Sequence, residues 1–292
     1  MRHPALQQPP FAPMTLEQAE QFRAIVAGAL AEDGASADVT TMFTVAEDAV
    51  ASAALVFRRG GVLAGLAIAT LAFAIVDPKI RVDTRAADGE LVETGGVVAR
   101  LSGPARGMLA GERVALNFLG RLSGVATLTR AFVDAVRGTS TRICDTRKTM
   151  PGLRALERYA VRCGGGFNHR FNLSDAVLIK DNHIAVAGSV AQAVARARAN
   201  AAPHLIVEVE CESVEQVHAA VECGVAAVLL DNMTRDQMRA AVAVTRGRAV
   251  SEASGGITLD NVREVAQTGV DIVSIGALTH SAPSVDVALD FV

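Results

Sequence analysis

From Gly138 onward the chain repeats one pattern, a short β-branched or aliphatic run followed by a longer stretch with helical apolar spacing. The short runs are TRICDT, AVLIKD, LIVEVE, AAVLLDN, AVSEASGG and DIVSIGAL. Between them lie GLRALERYAVRC, SVAQAVARARAN, SVEQVHAAVEC, TRDQMRAAVAV and TLDNVREVAQT. Strand alternating with helix at this pitch predicts parallel βαβ units, and six strands in succession favour a barrel or a barrel-like closed sheet.

The preceding half is patterned differently. TLEQAEQFRAIVAGALAED places Thr15 and Gln18 at capping-box spacing and continues with helical periodicity. VASAALVF, KIRVDTRA and GGVVARL read as short strands between Gly-rich turns. The most apolar run, Val62 to Val76, is shorter than the roughly 20 residues that span a bilayer, so it is expected as a buried helix of a soluble, cytoplasmic protein with no membrane partner. GERVALNFLGRLSGVATLTRAFVDAVRG is a long helical stretch that carries the chain into a second domain. The boundary is expected near Gly120, giving domains 1–120 and 121–292, with the last residues packing back on the first. The opening MRHPALQQPPFAPM has no apolar core of a signal peptide and reads as a flexible lead-in.

The polar residues at the strand ends point to chemistry. Asp145 and Arg147, Lys180 and Asp181, Glu208 and Glu210, Asp231 and Asn232, Glu252 and Ser254, and then Gly276 close the six runs. Carboxyl ends of barrel strands converge on the face where active sites are built. The segment Arg142 to Lys180 holds eight Lys/Arg against three Asp/Glu in a chain of net charge -3. Only three lysines occur, Lys79, Lys148 and Lys180, and two of them lie in this segment. Arg suits carboxylate and phosphate forks and Lys acts as a point charge, so Arg147, Lys148, His169, Arg170 and Lys180 imply a small ligand with several negative charges. Arg154, Arg158 and Arg162 fit a solvated helix face equally well. His169 follows a Gly-Gly-Gly that lets backbone approach a ligand, whereas His183 fits ligand contact or support from behind.

Glu210 and Asp231 end consecutive strands and are expected as neighbours, able to hold Mg2+, bind sugar hydroxyls or stabilise a developing cation. A glycosidase pair is a rival use, opposed by the cations. ASGGI and SIGAL are small-residue turns on the last two units, where barrels place a phosphate on backbone N–H groups. There is no Walker loop and no dinucleotide-binding glycine motif, which excludes an NTPase or Rossmann reading. The weak acidic balance argues against a nucleic-acid partner. Four cysteines without metal or CxxC spacing are expected to be reduced and buried.

DTRKTMPGLRALERYAVRCGGGFNHR, LIKDNH, EVE, LLDN, EASGGI and SIGALTHSA together resemble the quinolinate phosphoribosyltransferase family, the decarboxylating enzymes of de novo NAD synthesis. LAEDGASADVTT and LSGPARGMLAGERVALNFLGRLSGVAT look like the same family, with EDGASADVTT slightly compressed. The resemblance implies an N-terminal α/β sandwich-like domain plus an incomplete (β/α) barrel of the type II phosphoribosyltransferase kind. It also implies a homodimer, or a higher even oligomer, with a shared active site. Quinolinate recognition falls on Arg147, His169, Arg170 and Lys180, with Thr146 beside them and Lys148 reaching both substrates. Arg113 is expected to enter from the neighbouring subunit. Glu210 and Asp231 match the acids near the ribose and Mg2+ of phosphoribosyl pyrophosphate. Ser254, Gly255, Gly256, Ile275, Gly276 and Ala277 match the loops for its 5′-phosphate. The implied reaction transfers phosphoribosyl to quinolinate and releases CO2, giving nicotinate mononucleotide. A paralogue acting on nicotinate or linked to molybdate transport, a non-catalytic metabolite sensor, and a barrel aldolase using Lys148 are the alternatives.

Overall fold

The computed structural model describes residues 3–292. The chain forms two compact units, one of residues 11–130, 150–165 and 281–292, the other of residues 3–10, 131–149 and 166–280. The sequence reading placed a single break near Gly120. Gly120 lies inside one continuous helix, Ala105–Ala135, as the helical stretch in the sequence implied, and a Cβ there would meet the Val285 carbonyl oxygen at 2.8 Å. It is a point of close chain approach within that helix.

In the first unit the strands are Val50–Phe57 (β1), Gly61–Val62 (β2), Arg81–Thr84 (β3), Leu91–Val92 (β4) and Val97–Pro104 (β5). In the second they are Arg142–Cys144 (β6), Val177–Ile179 (β7), Val207–Cys211 (β8), Ala227–Asp231 (β9), Val250–Ser254 (β10) and Ile272–Ser274 (β11). The chain closes with Val287–Phe291 (β12), which returns to the first unit. There β1 pairs antiparallel with both β12 and β5, in the order β12-β1-β5-β3, while β2 and β4 form a separate ribbon. The apolar helix Leu66–Val76 buries Leu66, Ile68, Leu71 and Phe73 in this unit. Each such side chain contributes roughly 1.5–3 kcal/mol by leaving water, which accounts for its composition. No helix among the described residues is long and apolar enough to cross a membrane.

The second unit holds the six-stranded parallel sheet, in the order β6-β11-β10-β9-β8-β7. Each predicted run contains one strand. Three helices that cover it start with Ser or Thr followed three residues later by Gln: Ser189, Ser213 and Thr234 each accept the backbone N–H of that Gln. Such caps satisfy donors that the first helical turn leaves open. Beyond β6, Phe167 adds a parallel bridge to Cys144, and the Arg170 guanidinium reaches the Ala176 carbonyl before β7 at 3.0 Å. That segment continues the ring between the two edges of the sheet.

The lead-in corrects the sequence reading. Pro4–Leu6 form a 3-10 turn, and Ala5 is buried against Cys144 and Ile272, with Leu6, Phe167 and Val250 around it. His3 is fully buried. A short peptide with no amphipathic period gives no sequence signal for this, because its burial depends on a groove formed by distant strands.

Candidate active site

Around the ring, the segments following β7, β8, β9, β10, β11 and β6, then residues 169–170, deliver their side chains to one cavity of about 750 Å3. It is lined by Thr146, Arg147, Lys148, His169, Arg170, Lys180, Glu210, Asp231, Ser254, Gly255, Gly256, Ile275, Gly276 and Ala277. These are all of the site residues expected from sequence except Arg113. Arg113 is exposed on the helix Ala105–Ala135 and does not line the cavity. The cavity has the size of a small-molecule site. Leu178, Leu229, Asn232, Glu252, Thr258 and His280 also line it. His280 was part of a quoted motif with no role assigned; its position four residues past a strand-end glycine was the available signal.

The cations are contiguous in this order: Lys180 after β7, Arg147 and Lys148 after β6, and His169 and Arg170 in between. Main-chain contacts fix them. Asp145, fully buried, accepts the His169 N–H at 2.8 Å. Thr146 Oγ1 accepts the Lys148 N–H at 3.1 Å, and Thr279 Oγ1 donates to the Lys148 carbonyl at 2.7 Å. Burial, and then repulsion from Arg147, hold the Arg170 guanidinium below its usual pKa. Two guanidiniums in such surroundings favour an anion between them. His183 lies outside the cavity; its Nδ1 accepts the Lys180 N–H at 3.0 Å, so it supports the start of the next helix.

Glu210 carries an ion pair with Lys180 Nζ, and Asp231 accepts a hydrogen bond from the Asn232 side chain at 2.8 Å. Glu208 and Glu252 do not sit at strand tips as the sequence reading had them. Both are mid-strand and buried, at 1% and 0% exposure. Side chains two apart on a strand share a face, so Glu208 points inward like Glu210 but one step deeper. Burial disfavours an imidazolium at His169, while the carboxylates of Glu252 and Glu208 favour it and raise its pKa. Burial likewise opposes ionised Glu208, yet attraction to His169 and His3 holds its pKa well below the usual range.

The two turns after β10 and β11 come close to other groups. Gly255 has φ +91° and a Cβ there would meet Asn232 Oδ1 at 2.2 Å; Gly256 has φ +61° with open space around it. A Cβ on Gly276 would meet the Lys148 side chain at 2.9 Å. Asn232 itself adopts φ 52°, a region that Asn tolerates better than most residues. Small-residue turns of this kind let an oxyanion approach the backbone, although the Ile275 N–H itself donates to the Cys144 carbonyl at 2.9 Å.

A family model for the N-terminal domain of quinolinate phosphoribosyl transferase matches residues 38–123, and one for its C-terminal domain matches residues 125–290. The chain belongs to the quinolinate phosphoribosyl transferase family. Among similar proteins is the nicotinate-nucleotide pyrophosphorylase [carboxylating] of Mycobacterium leprae, 46% identical over 261 residues, covering 87% of this chain and 90% of that one. The probable enzyme of that name from Bacillus subtilis is 44% identical over 260 residues, 89% of each chain. The crystal structure of NadC from Streptococcus pyogenes superposes with a TM-score of 0.91 at 40% identity, covering 97% of this chain and all of that one. The chain is therefore a phosphoribosyltransferase, and the glycosidase, aldolase and sensor alternatives fall away.

Proposed function

We propose that the chain transfers the phosphoribosyl group of phosphoribosyl pyrophosphate to quinolinate and decarboxylates the adduct, giving nicotinate mononucleotide, pyrophosphate and CO2 for NAD synthesis. The observation that carries this reading is the order of groups around the cavity: five cationic or imidazole side chains in succession, then two carboxylates, then two small-residue turns. The cationic arc suits a ring with two carboxylates. The turns suit a phosphate monoester, and the acids between them suit the ribose.

Arg147, Arg170, Lys148 and Lys180 hold the pyridine ring by its carboxylates and so aim its nitrogen at C1′. The nitrogen lone pair forms the N–C1′ bond as the C1′–O bond breaks, and pyrophosphate departs with that electron pair. Positive charge develops on the ribose, where Glu210 and Asp231 oppose it. In the adduct the C2–carboxylate bond breaks, its electrons stay at C2 beside the cationic nitrogen, CO2 leaves and a proton is taken up at C2. A covalent nucleophile is not needed.

Mg2+ is a hard cation that takes oxygen ligands, and the fit is partial. Glu210 and Asp231 both face the cavity, but Glu210 is already paired with Lys180. These two would hold it, together with substrate oxygens and water, and it would supply charge neutralisation at the pyrophosphate. A homodimer in the cytoplasm completes the reading.

A substrate-omission assay tests it. Purified protein with Mg2+ and phosphoribosyl pyrophosphate is given quinolinate or nicotinate, and nicotinate mononucleotide and CO2 are followed. Product with CO2 from quinolinate alone is expected; turnover of nicotinate, or of neither, overturns the reading.

A further inference from the structure

Behind His169 lies a group of side chains given no role in the reaction above, of which only His169 and Glu252 reach the cavity. His3 faces His169 edge-on, ring centroids 4.8 Å apart at 79°. Both rings turn their Nε2 atoms to Glu208 and Glu252. His3 Nε2 is 3.7 Å from Glu208 Oε2 and 3.3 Å from Glu252 Oε2; His169 Nε2 is 3.4 Å and 3.5 Å from the same two oxygens. The four residues are 0%, 7%, 1% and 0% exposed. Among the described residues no hydrogen bond reaches either carboxylate, so the two imidazoles, with the Arg170 guanidinium attracting Glu208, compensate their burial.

Two His and two Glu with ligand atoms inside 4.8 Å are also a donor set for a divalent metal. The separations even match the edges of a tetrahedron with bonds of about 2.0–2.2 Å. The ring nitrogens decide between the two uses. His3 Nδ1 accepts the Ala5 N–H at 3.2 Å, and His169 Nδ1 accepts the Arg170 N–H at 2.7 Å. A neutral imidazole carries one proton, so in both rings it sits on Nε2. A ring that presents Nε2–H is a donor and not a ligand. The carboxylates' field favours a second proton on His169, but the Arg170 N–H occupies the place that proton would need. Both rings therefore turn an Nε2–H towards the carboxylate pair, at 3.3–3.7 Å.

The peptide that brings His3 here is fastened next to His169. The Gln8 side chain donates to the Asn168 carbonyl and accepts the Asn168 N–H at 3.1 Å, and Arg142 donates to the Ala5 carbonyl at 3.0 Å. Asn168 immediately precedes His169, so one lead-in fixes both the backbone and the ring of a cavity residue.

We propose that His3 is a positioning residue: by sharing the Glu208–Glu252 pair it holds the His169 ring at the cavity wall, and the N-terminal segment thereby sets how tightly the pyridine dicarboxylate is bound. Without His3 the carboxylates lose one of the two imidazoles that face them and gain a void the size of a ring, and the His169 side chain moves inward from the substrate. This inference rests on the proposed quinolinate activity.

The test compares native protein with His3→Ala, His3→Gln and Gln8→Ala in steady-state kinetics against each substrate. Imidazole ¹H–¹⁵N correlation spectra and metal analysis accompany the kinetics. His3→Ala is expected to raise KM for quinolinate about tenfold while KM for phosphoribosyl pyrophosphate stays within about twofold. His3→Gln, which keeps an N–H donor, is expected to recover most of the loss, and Gln8→Ala to show a smaller loss of the same kind. The spectra should show His3 and His169 as Nε2–H tautomers, and His3→Ala should shift the His169 signals. The proposal is overturned by an unchanged quinolinate KM, by both KM values moving together, or by His3→Gln faring no better than His3→Ala. One equivalent of divalent metal in the native protein that His3→Ala loses would also overturn it, in favour of a metal site. Native protein inactive on quinolinate would sink the functional reading instead, while the spectra still report on the His–Glu group.

Discussion

Glu210 and Lys180 neutralise each other in the cavity, and this sets the behaviour of each. Changing Glu210 to Gln removes the anion opposed to positive charge at C1′ and frees the Lys180 ammonium for a carboxylate of the substrate. Glu210→Gln is therefore expected to lower kcat by about 10²-fold, the size seen when one electrostatic stabiliser is lost, without raising KM for quinolinate. Steady-state kinetics checks it, and a rise in quinolinate KM with unchanged kcat would be the contrary result. The glycine pair after β10 gives a second contrast. Ala at Gly256 meets only a backbone cost, since φ is +61° and nothing lies within 4 Å. Ala at Gly255 adds a collision with Asn232 to its φ of +91°. Both should lose about 1–3 kcal/mol in denaturant titrations, Gly255→Ala at the upper end, and Gly255→Ala should also raise KM for phosphoribosyl pyrophosphate by displacing Asn232 beside Asp231.

At the scale of elements, the helix Leu66–Val76 starts without a side-chain cap of its own, its N-cap being Gly65 at φ +91°. Asp88 supplies the cap from a distance, accepting the Gly65 N–H at 2.9 Å and the Leu66 N–H at 3.1 Å. Tyr159 donates its hydroxyl to the same carboxylate at 2.7 Å; burial first, then the Cys163 and Asp88 charges, keep that phenol protonated far above neutral pH. Asp88→Ala strips three buried donors of an acceptor and should cost on the order of 3 kcal/mol in thermal or chemical unfolding. That cap was invisible in the sequence, because Asp88 lies 22 residues beyond Leu66 and forms no capping box. The six barrel runs and the Thr15–Gln18 box were legible because their signals are local, period two or a three-residue spacing. Glu208 and Glu252 were misplaced at strand tips for the opposite reason: polarity was counted, but depth along the strand was not. His3 was unreadable altogether, since nothing in HPALQQPP marks a residue whose partners come from β8 and β10.

For the molecule as a whole, thiol chemistry reports whether both units are closed. Cys144, Cys163 and Cys211 are buried and Cys223 is partly exposed. Burial, with the nearby Glu210 charge, pushes the Cys211 thiol up to about 12, and burial followed by the Asp88 charge raises that of Cys163 as well. A thiol with a raised pKa stays protonated near pH 8 and does not attack a disulfide reagent. Native protein should thus release one equivalent of chromophore quickly and four only after denaturation; two or more fast thiols would mean that a unit opens. Assembly is the larger question, and Arg113 is the residue that addresses it. It is exposed, lies outside the cavity of its own chain, and stands in a helix whose neighbouring residues Val114, Ala115 and Leu116 are buried. Arg113→Ala should consequently fold and unfold like the parent. If the active site is shared between copies, this variant binds quinolinate poorly because each cavity lacks its partner's cation. A Lys148→Ala variant fails for a different reason, having lost a cavity residue of its own. Mixing the two and letting subunits exchange then creates hybrid dimers in which one cavity has both Lys148 and a partner's Arg113. Activity should return to about a quarter of the parent's per dimer site at equal mixing, half of the dimers being hybrids with one intact cavity of two. An additive mixture with no recovery, from subunits shown by mass labelling to have exchanged, would confine the active site to a single chain.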